Sequence, residues 1–365
     1  MASRSTALLN NVATRAFSVM RRGASKDSRV GVLHNARMLV LSRREVERLL
    51  DLDALLEAVA SAMADLSAGR ASMPGRAAAE VEERSALLAV MPAYVPAAAA
   101  LTTKLVSLFP LNEGTAIPTH QALIAAFDAA DGRPVALLDG THITAARTAA
   151  GSALSIRLLA RADASTLAIL GTGVQARAHA RAVVRLRPLD EIRLAGRDPE
   201  RTAAVASELA AELDRPVVAC STYAEALDGA GIVCACTHAV EPVVRRDWLA
   251  PGAHVTSVGY NTKGREVDDA TVADALVVVE SRASALAPIP AGTPDLTEPI
   301  AAGLIGPEHV HAEIGELVAG TRLGRTDPDR ITLYKSVGVA VQDAAAAALV
   351  LAAAREQGVG SEIEV

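Results

Sequence analysis

Aromatic residues make up only 2% of this 365-residue chain, and its formal net charge is −6. It has neither a platform for base stacking nor a positive field, so nucleic acid is excluded as a partner. Cysteine is scarce too, and Cys220, Cys234 and Cys236 do not amount to a disulfide framework. Cys234 and Cys236 lie two apart in an apolar run, so on a strand they share one face as small packing residues. Thiols used this way fit a reducing compartment. No His/Asp/Glu cluster has metal-ligand spacing, and no metal is expected. The longest apolar stretch, AAAAALVLAAA at 344–354, is too short to cross a bilayer and is flanked by Asp343 and Arg355. It reads as a packed helix that stops at Gly358, and no membrane association is expected.

What the chain does contain is 51% hydrophobic and 21% charged residues, enough for a sizeable core and, at this length, two domains. Residues 1–37 stand apart. They carry Arg4, Arg15, Arg21 and Arg22, several Ser and Thr, and no acid before Asp27, which is the composition of a mitochondrial transit peptide. Ala and Arg are frequent throughout the chain, however. We therefore read this segment as a leader or disordered extension, with the folded chain starting at Met38. The location expected is cytoplasmic, with the mitochondrial matrix as the alternative.

After Met38, SRREVERLLDLDALLEAVASAMADLSAG has apolar positions three and four apart, is broken at Asp51 and ends at Gly69. It is helical, with Ser42 as N-cap and Glu45 completing a capping box. Residues 81–139 read as strands with a hairpin turn at Asp131-Gly132. THITAARTAAGSALSIRLLAR returns to helical spacing, with Thr144 as a candidate cap. From Thr166 to ALVVVE at 275–280, strands alternate with helices or loops. Such strands are joined by right-handed crossovers and form a doubly wound parallel sheet. A last helix, 338–357, lies beyond that unit and packs back on the first part of the chain. The fold expected is α/β. An inserted Rossmann domain at 146–319 interrupts a smaller mixed α/β domain built from 38–145 plus 320–357.

GTGVQA matches G-x-G-x-x-A at Gly171, Gly173 and Ala176. Gly171 allows the tight turn, Gly173 lets backbone approach a pyrophosphate, and Ala176 keeps helix close to strand. The helix start adds free amides and a positive dipole end. The apolar strand before the motif and the helix and second strand after it make it a dinucleotide site. NAD-preferring folds place an acid at the end of the second strand; here RLAGRDPER has Gly196 and then Arg197. Glycine leaves room and arginine offers a bidentate cation to a 2′-phosphate. NADP(H) is therefore preferred, and NAD(H) stays open because Asp198 can still bond a ribose.

The first part of the chain holds Arg76, Lys104 and Arg147 in apolar or small-residue surroundings. Alternation in TTKLVSLFP puts Lys104 on the face of Thr102 and Val106. There it must find an anion or be desolvated, which lowers its pKa towards that of a usable proton donor. Arg147 in TAARTAAG reads as lying in the first turn of a helix, where a short carboxylate can rest against it. Ordinary salt bridging is the alternative for each. His120 in PTHQAL is a second candidate donor or substrate contact, or a histidine bonded to backbone. His238 reads as a loop residue, and Lys335 as a member of the nicotinamide surroundings or of the domain junction.

The stretches MPGR, TTKLVSLFP, HITAARTAAGSALSIRLLAR, LGTGVQA, VTSVGYNTKGREVD and ITLYKSVGVAVQDAAAA occur in that order over nearly the whole chain. Together they resemble the ornithine cyclodeaminase/mu-crystallin family. The resemblance implies a nicotinamide dinucleotide, chemistry on amino acids and imines, and a homodimer joined through the first domain. It also implies that Arg76 and Arg147 hold a substrate carboxylate, with Lys104 beside the reacting nitrogen. Gly171, Thr172, Gly173, Val174 and Gln175 would cradle the pyrophosphate, and Thr237, Val258 and Gly259 would line the nicotinamide side.

One departure matters. Cyclodeaminases of that family carry an aspartate just after the VG pair, where this chain has Asn261. An amide orients a substrate nitrogen but cannot shuttle its proton. That disfavours cyclodeamination more than reduction of an imine that arrives already formed. The function expected is an NAD(P)H-dependent reductase of a small α-imino acid, giving the L-amino acid. Its substrate is a cyclic ketimine such as pyrroline- or piperideine-2-carboxylate, or an acyclic imino acid. An ornithine- or lysine-type cyclodeaminase with recycled NAD, and a non-enzymatic NADP-binding crystallin-like protein, stay open as alternatives.

Overall fold

Two β-sheets lie within one compact unit, Arg37–Val365, and the computed structural model describes residues 37–261 and 264–365. The leader reading lies outside the described residues except for Arg37, which already belongs to the first strand. The first sheet comprises β1 (Arg37–Leu41), β2 (Ala77–Val81), β3 (Ala86–Val95), β4 (Ala100–Leu108), β5 (His120–Phe127), β6 (Pro134–Asp139) and β15 (Ser361–Glu364). Their order is β15-β1-β6-β5-β4-β3-β2, antiparallel except where β1 runs parallel to β6.

The second sheet is parallel throughout. It comprises β7 (Thr166–Leu170), β8 (Glu191–Ala195), β9 (Val218–Ala219), β10 (Ile232–Ala235), β11 (His254–Ser257), β12 (Leu276–Val279), β13 (Val310–Glu313) and β14 (Thr332–Lys335). The order is β13-β12-β14-β11-β10-β7-β8-β9, as expected of a doubly wound fold. The chain winds outward from β7 through β8 to β9, then restarts on the other side at β10. The β7/β10 junction is thus the topological switch point, where ligands of such sheets bind at the carboxyl ends.

The sheets divide the chain differently from the sequence reading in two places. β14 lies beyond residue 319, yet it is laid between β11 and β12. β15 lies beyond 357 and closes the edge of the first sheet. A four-residue run carries no signal for which sheet will accept it; that is decided by long-range pairing.

The helices show how local chemistry sets boundaries. Helix α1 (Arg43–Leu49) has the expected capping box, with Ser42 and Glu45 bonded reciprocally. Asp51 does more than interrupt: it caps a separate helix, α2 (Leu52–Ser67), by accepting from the Ala54 amide. Helix α3 (Gly140–Leu159) begins before Thr144, because Asp139 caps it through the His142 amide. The Thr144 hydroxyl instead donates to the Gly140 carbonyl inside the helix. Arg147 is consequently two turns into the helix rather than in its first turn. Helices α4 (Val174–Leu186) and α5 (Pro199–Leu213) follow β7 and β8.

The last helix, α6 (Ala340–Gln357), packs against α2, α3, β3 and β4, as the sequence reading has it. Ala344, Ala345, Ala346 and Ala347 are all buried, so small side chains let this helix approach its neighbours on every side. Cys234 and Cys236 sit in one core cluster as packing residues, and burial pushes both thiols up, Cys234 to about 12.

A strip of buried polar groups ties α3 to the parallel sheet. His179 of α4 bonds Ser152 at 2.8 Å, and His254 of β11 bonds Ser155 at 3.0 Å and Thr332 at 2.8 Å. The helix that carries Arg147 is thereby joined both to the dinucleotide helix and to two strands of the second sheet.

Candidate active site

Every residue singled out from the sequence as a site residue lines one cleft of about 2600 Å³, between the first sheet and the carboxyl ends of the parallel strands. At the end beside the β7/β10 junction, Gly171 follows β7 with φ +113°, and a Cβ there would stand 2.6 Å from the Cys236 carbonyl oxygen. Glycine is therefore required on both backbone and steric grounds. Gly173 is the N-cap of α4, with open space where a Cβ would be and no side chain occupying the first amides. Ala176 is fully buried against the sheet. The turn, the open approach and the close helix packing that a pyrophosphate cradle needs are all present. The Gln175 Oε1, at the same turn, is buried without a partner among the described residues.

Gly196 departs from expectation. A Cβ there would lie 2.7 Å from Thr172 Cγ2 and 2.8 Å from Thr202 Oγ1, so the glycine is required by close packing of the second βα turn, where it also lines the cleft. Arg197 extends from that turn with its side chain 84% exposed, 3.9 Å from Glu113 of the first sheet's long loop. The Asp198 carboxylate caps α5 through the Arg201 amide. It is thus engaged in the helix start, and Arg197, Asp198 and Arg201 all line the cleft.

Thr237, Val258 and Gly259 follow β10 and β11 on either side of a buried carboxylate that the sequence reading did not single out. Glu266 accepts from the Thr237 amide (2.6 Å) and hydroxyl (2.7 Å), from Ser257 Oγ (2.7 Å) and from the Gly259 amide (2.7 Å). Lys335 donates to Ser257 Oγ and the Gly259 carbonyl and pairs with Asp295 at 2.9 Å. This network fixes both loops. Lys335 therefore belongs to their support, at the junction of strand ends.

The cleft's other end gathers side chains from β4, β5, α3, α6 and the segment before β2. Along β4, Thr102, Lys104 and Val106 are buried in alternation, as the spacing predicts. Lys104 Nζ lies 2.8 Å from Asp343 Oδ2, and Arg147 Nε lies 3.0 Å from Asp343 Oδ1. Arg147 Nη1 also donates to Gln342 Oε1 at 3.1 Å. Arg76 reaches across to the Val337 and Gly338 carbonyls at 3.2 and 3.0 Å. Glu280, buried, holds that turn through the Val337 and Gly338 amides and the Ser336 hydroxyl.

The lysine and arginine thus have the salt-bridge partner that the sequence left open, and the partner is part of the cleft's wall. Burial, reinforced by Arg147 and Arg76 and opposed by Asp343, pushes Lys104 down to about 8. Burial raises the Asp343 carboxyl, but Arg147 and Lys104 outweigh it and hold it below its ordinary value. His120, the first residue of β5, is pushed down to about 4 by burial and then by Lys104 and Arg147, so its imidazole is neutral at physiological pH. Asn261 donates from Nδ2 to the His238 carbonyl at 3.1 Å, at the edge of the cleft.

Asp343, Glu266, Glu280 and Gln342 had escaped notice. Glu280 and the Gln342-Asp343 pair stand beside apolar runs, whereas Glu266 lies in a charged stretch that gives no local signal. Buried charge must be paired. Among the described residues no group of three or more His, Cys, Asp or Glu is placed to hold a metal ion.

Three comparisons extend this picture. The model of the ornithine cyclodeaminase/mu-crystallin family matches residues 36–358. Over 329 residues the chain is 34% identical to a Δ1-pyrroline-2-carboxylate reductase of Bacillus cereus, covering 90% of this chain and 100% of that protein. The ketimine reductase mu-crystallin of Mus musculus is 35% identical over 315 residues, covering 85% of this chain and 95% of that protein. Among solved structures, the Thermococcus litoralis Δ1-pyrroline-2-carboxylate reductase, in complex with NADH and L-proline, superposes with a TM-score of 0.85 at 36% identity. It covers 89% of this chain and all of that one.

Proposed function

The chain belongs to the ornithine cyclodeaminase/mu-crystallin family, and on that premise we propose that it is an NAD(P)H-dependent reductase of a small α-imino acid. The substrate class is a cyclic ketimine such as Δ1-pyrroline- or Δ1-piperideine-2-carboxylate, or an acyclic imino acid, and the product is the L-amino acid. The observation that carries this reading is the buried cluster at the substrate end: an ammonium, Lys104, beside a fixed guanidinium, Arg147, in the same cleft as the dinucleotide turn.

When bound, the dinucleotide supplies a hydride to the imine carbon. Arg147 and Arg76 receive the substrate carboxylate, which sets the imine carbon at the nicotinamide side formed by Thr237, Val258 and Gly259. Lys104 gives a proton to the nitrogen, so that imine, reduced cofactor and one proton become amine and oxidised cofactor. Neutral His120 contributes a hydrogen bond to the substrate and Asn261 orients its nitrogen. Asp343 is held ionised by two cations, so it is a poor base for removing a proton from a substrate ammonium. This is a second reason, beside the amide at 261, to set cyclodeamination aside.

NADP(H) is the preferred cofactor in this reading because Arg197, paired only with the exposed Glu113 at 3.9 Å, lines the cleft where a 2′-phosphate can replace that partner, while the Asp198 carboxylate caps a helix start. The assembly is a homodimer. Leu88, Val90 and Tyr94 of β3 and Leu123 of β5 are exposed on the outward face of the first sheet, an apolar surface suited to a second copy of the chain. A cytoplasmic setting fits the three free, buried cysteines.

The test follows NADPH and NADH oxidation over a panel of cyclic ketimines, over pyruvate with ammonia, and over ornithine. Oxidation driven by at least one imine is expected. Ammonia release from ornithine at constant cofactor absorbance would replace this reading with the cyclodeaminase one.

A further inference from the structure

Among the described residues, Asp343 alone forms an ion pair with both Lys104 and Arg147. It reaches the cleft from α6, is 1% exposed, and uses one carboxylate oxygen for each cation. The donor inventory shows what this leaves over. Arg147 spends Nε on Asp343 and one Nη1 proton on Gln342, so Nη2 and the second Nη1 proton are left for a ligand. Lys104 meets Asp343 Oδ2 at 2.8 Å as an ion pair, which leaves its ammonium donors for a ligand.

The charges point the same way. The ionisable groups facing Lys104 are Asp343 from α6, Arg147 from α3, Arg76 from the segment before β2, and His120 from β5. The residues paired with it across the sheet, Met91 and Ile124, are apolar. Without Asp343, a buried ammonium would face two guanidiniums with no counter-charge, and the amine form would be favoured.

We propose that Asp343 is the positioning residue of this site: by tying Lys104 to Arg147 it keeps Lys104 an ammonium at the reacting nitrogen and holds Arg147 with Nη2 towards the substrate carboxylate. The roles given to the two cations rest on the reductase reading; the tie itself does not.

The chain's lysines are Lys26, Lys104, Lys263 and Lys335, which makes direct observation practical. In protein labelled with 13C at lysine Cε, the Lys104 resonance, assigned with Lys104→Arg, is titrated in the full chain and in Asp343→Asn. The wild-type midpoint is expected near pH 8. In Asp343→Asn it falls by about one pH unit or more, and kcat/KM for imine reduction at pH 7.5 falls about threefold or more. The alkaline limb of the rate profile moves down with the resonance. A merely structural role would lower activity at every pH and leave the limb in place. An unmoved Lys104 midpoint in Asp343→Asn overturns the proposal.

If Asp343→Asn does not fold, Asp343→Glu keeps the charge but displaces it by one methylene. It is expected to retain the midpoint near pH 8 while imine turnover falls roughly fivefold or more; wild-type kinetics there also overturn the proposal. Failure of the reductase reading shows separately, as a wild-type protein that reduces no imine while the Lys104 titration still responds to Asp343→Asn.

Discussion

A Cβ placed on Gly171 would come within 2.6 Å of the carbonyl oxygen of Cys236, at the junction where β7 and β10 diverge. The first glycine of the phosphate turn is thus held against the neighbouring strand's end, in a backbone conformation, φ +113°, that other residues rarely adopt. Gly171→Ala is expected to weaken NADPH and NADH binding about tenfold or more and to lower stability by roughly 1–3 kcal/mol. Fluorescence titration and urea unfolding measure the two effects. Wild-type affinity in this variant would mean that the turn does not cradle the cofactor.

Arg197 gives a prediction that separates the two cofactors. Its side chain is largely exposed, so a phosphate contact there is partly screened and is expected to change affinity about tenfold. Arg197→Ala should raise the KM for NADPH by that factor and leave the KM for NADH within about twofold. Equal effects on both cofactors, or equal wild-type rates with both, would remove Arg197 as the reader of the 2′-phosphate.

The buried histidines make stability depend on pH. Burial pushes His179 down to about 4 and His254 down to about 3, from an ordinary value of 6.5. Between pH 6.5 and those values the unfolded chain binds protons that the folded chain does not, so their contribution is full above about pH 6.5 and declines on acidification. Each histidine contributes a slope of up to about 1.4 kcal/mol per pH unit. Urea midpoints measured from pH 7.5 to pH 5 should fall accordingly, and His179→Gln/His254→Gln should flatten that dependence. A double variant with the wild-type slope would assign the acid sensitivity to other groups.

Lys104 gives the corresponding prediction for rate. An ammonium that loses its proton near pH 8 should make kcat/KM for imine reduction decline above that value. Lys104→Met should lower kcat by about 10²–10⁴-fold with cofactor affinity retained. Undiminished reduction by that variant would take the donor's role from Lys104.

How far the sequence disclosed all this depended on the range of the interaction. Gly171, Gly173 and Ala176 were readable because the dinucleotide turn is a local object, with strand, glycines and helix start inside a dozen residues. Lys104 was readable because alternation along β4 fixes its face without reference to anything distant. Asp343 was not, since its partner Arg147 lies 196 residues away and no local pattern encodes that meeting. β14 was placed with the smaller domain, whereas long-range pairing lays it between β11 and β12 of the parallel sheet. Two readings missed a neighbour: Gly196 is small to accommodate Thr172 and Thr202, and Thr144 lost the capping position to the hydrogen bond that Asp139 accepts. In both, the residue type was noticed and its neighbour was not.

The most direct test of the central claim is the fate of the hydride. With NADPH deuterated at both C4 positions and Δ1-pyrroline-2-carboxylate as substrate, the account predicts one deuterium at the α-carbon of L-proline for each NADP+ formed. Proline without deuterium, or no proline from any imine while ornithine releases ammonia at constant cofactor absorbance, would contradict it.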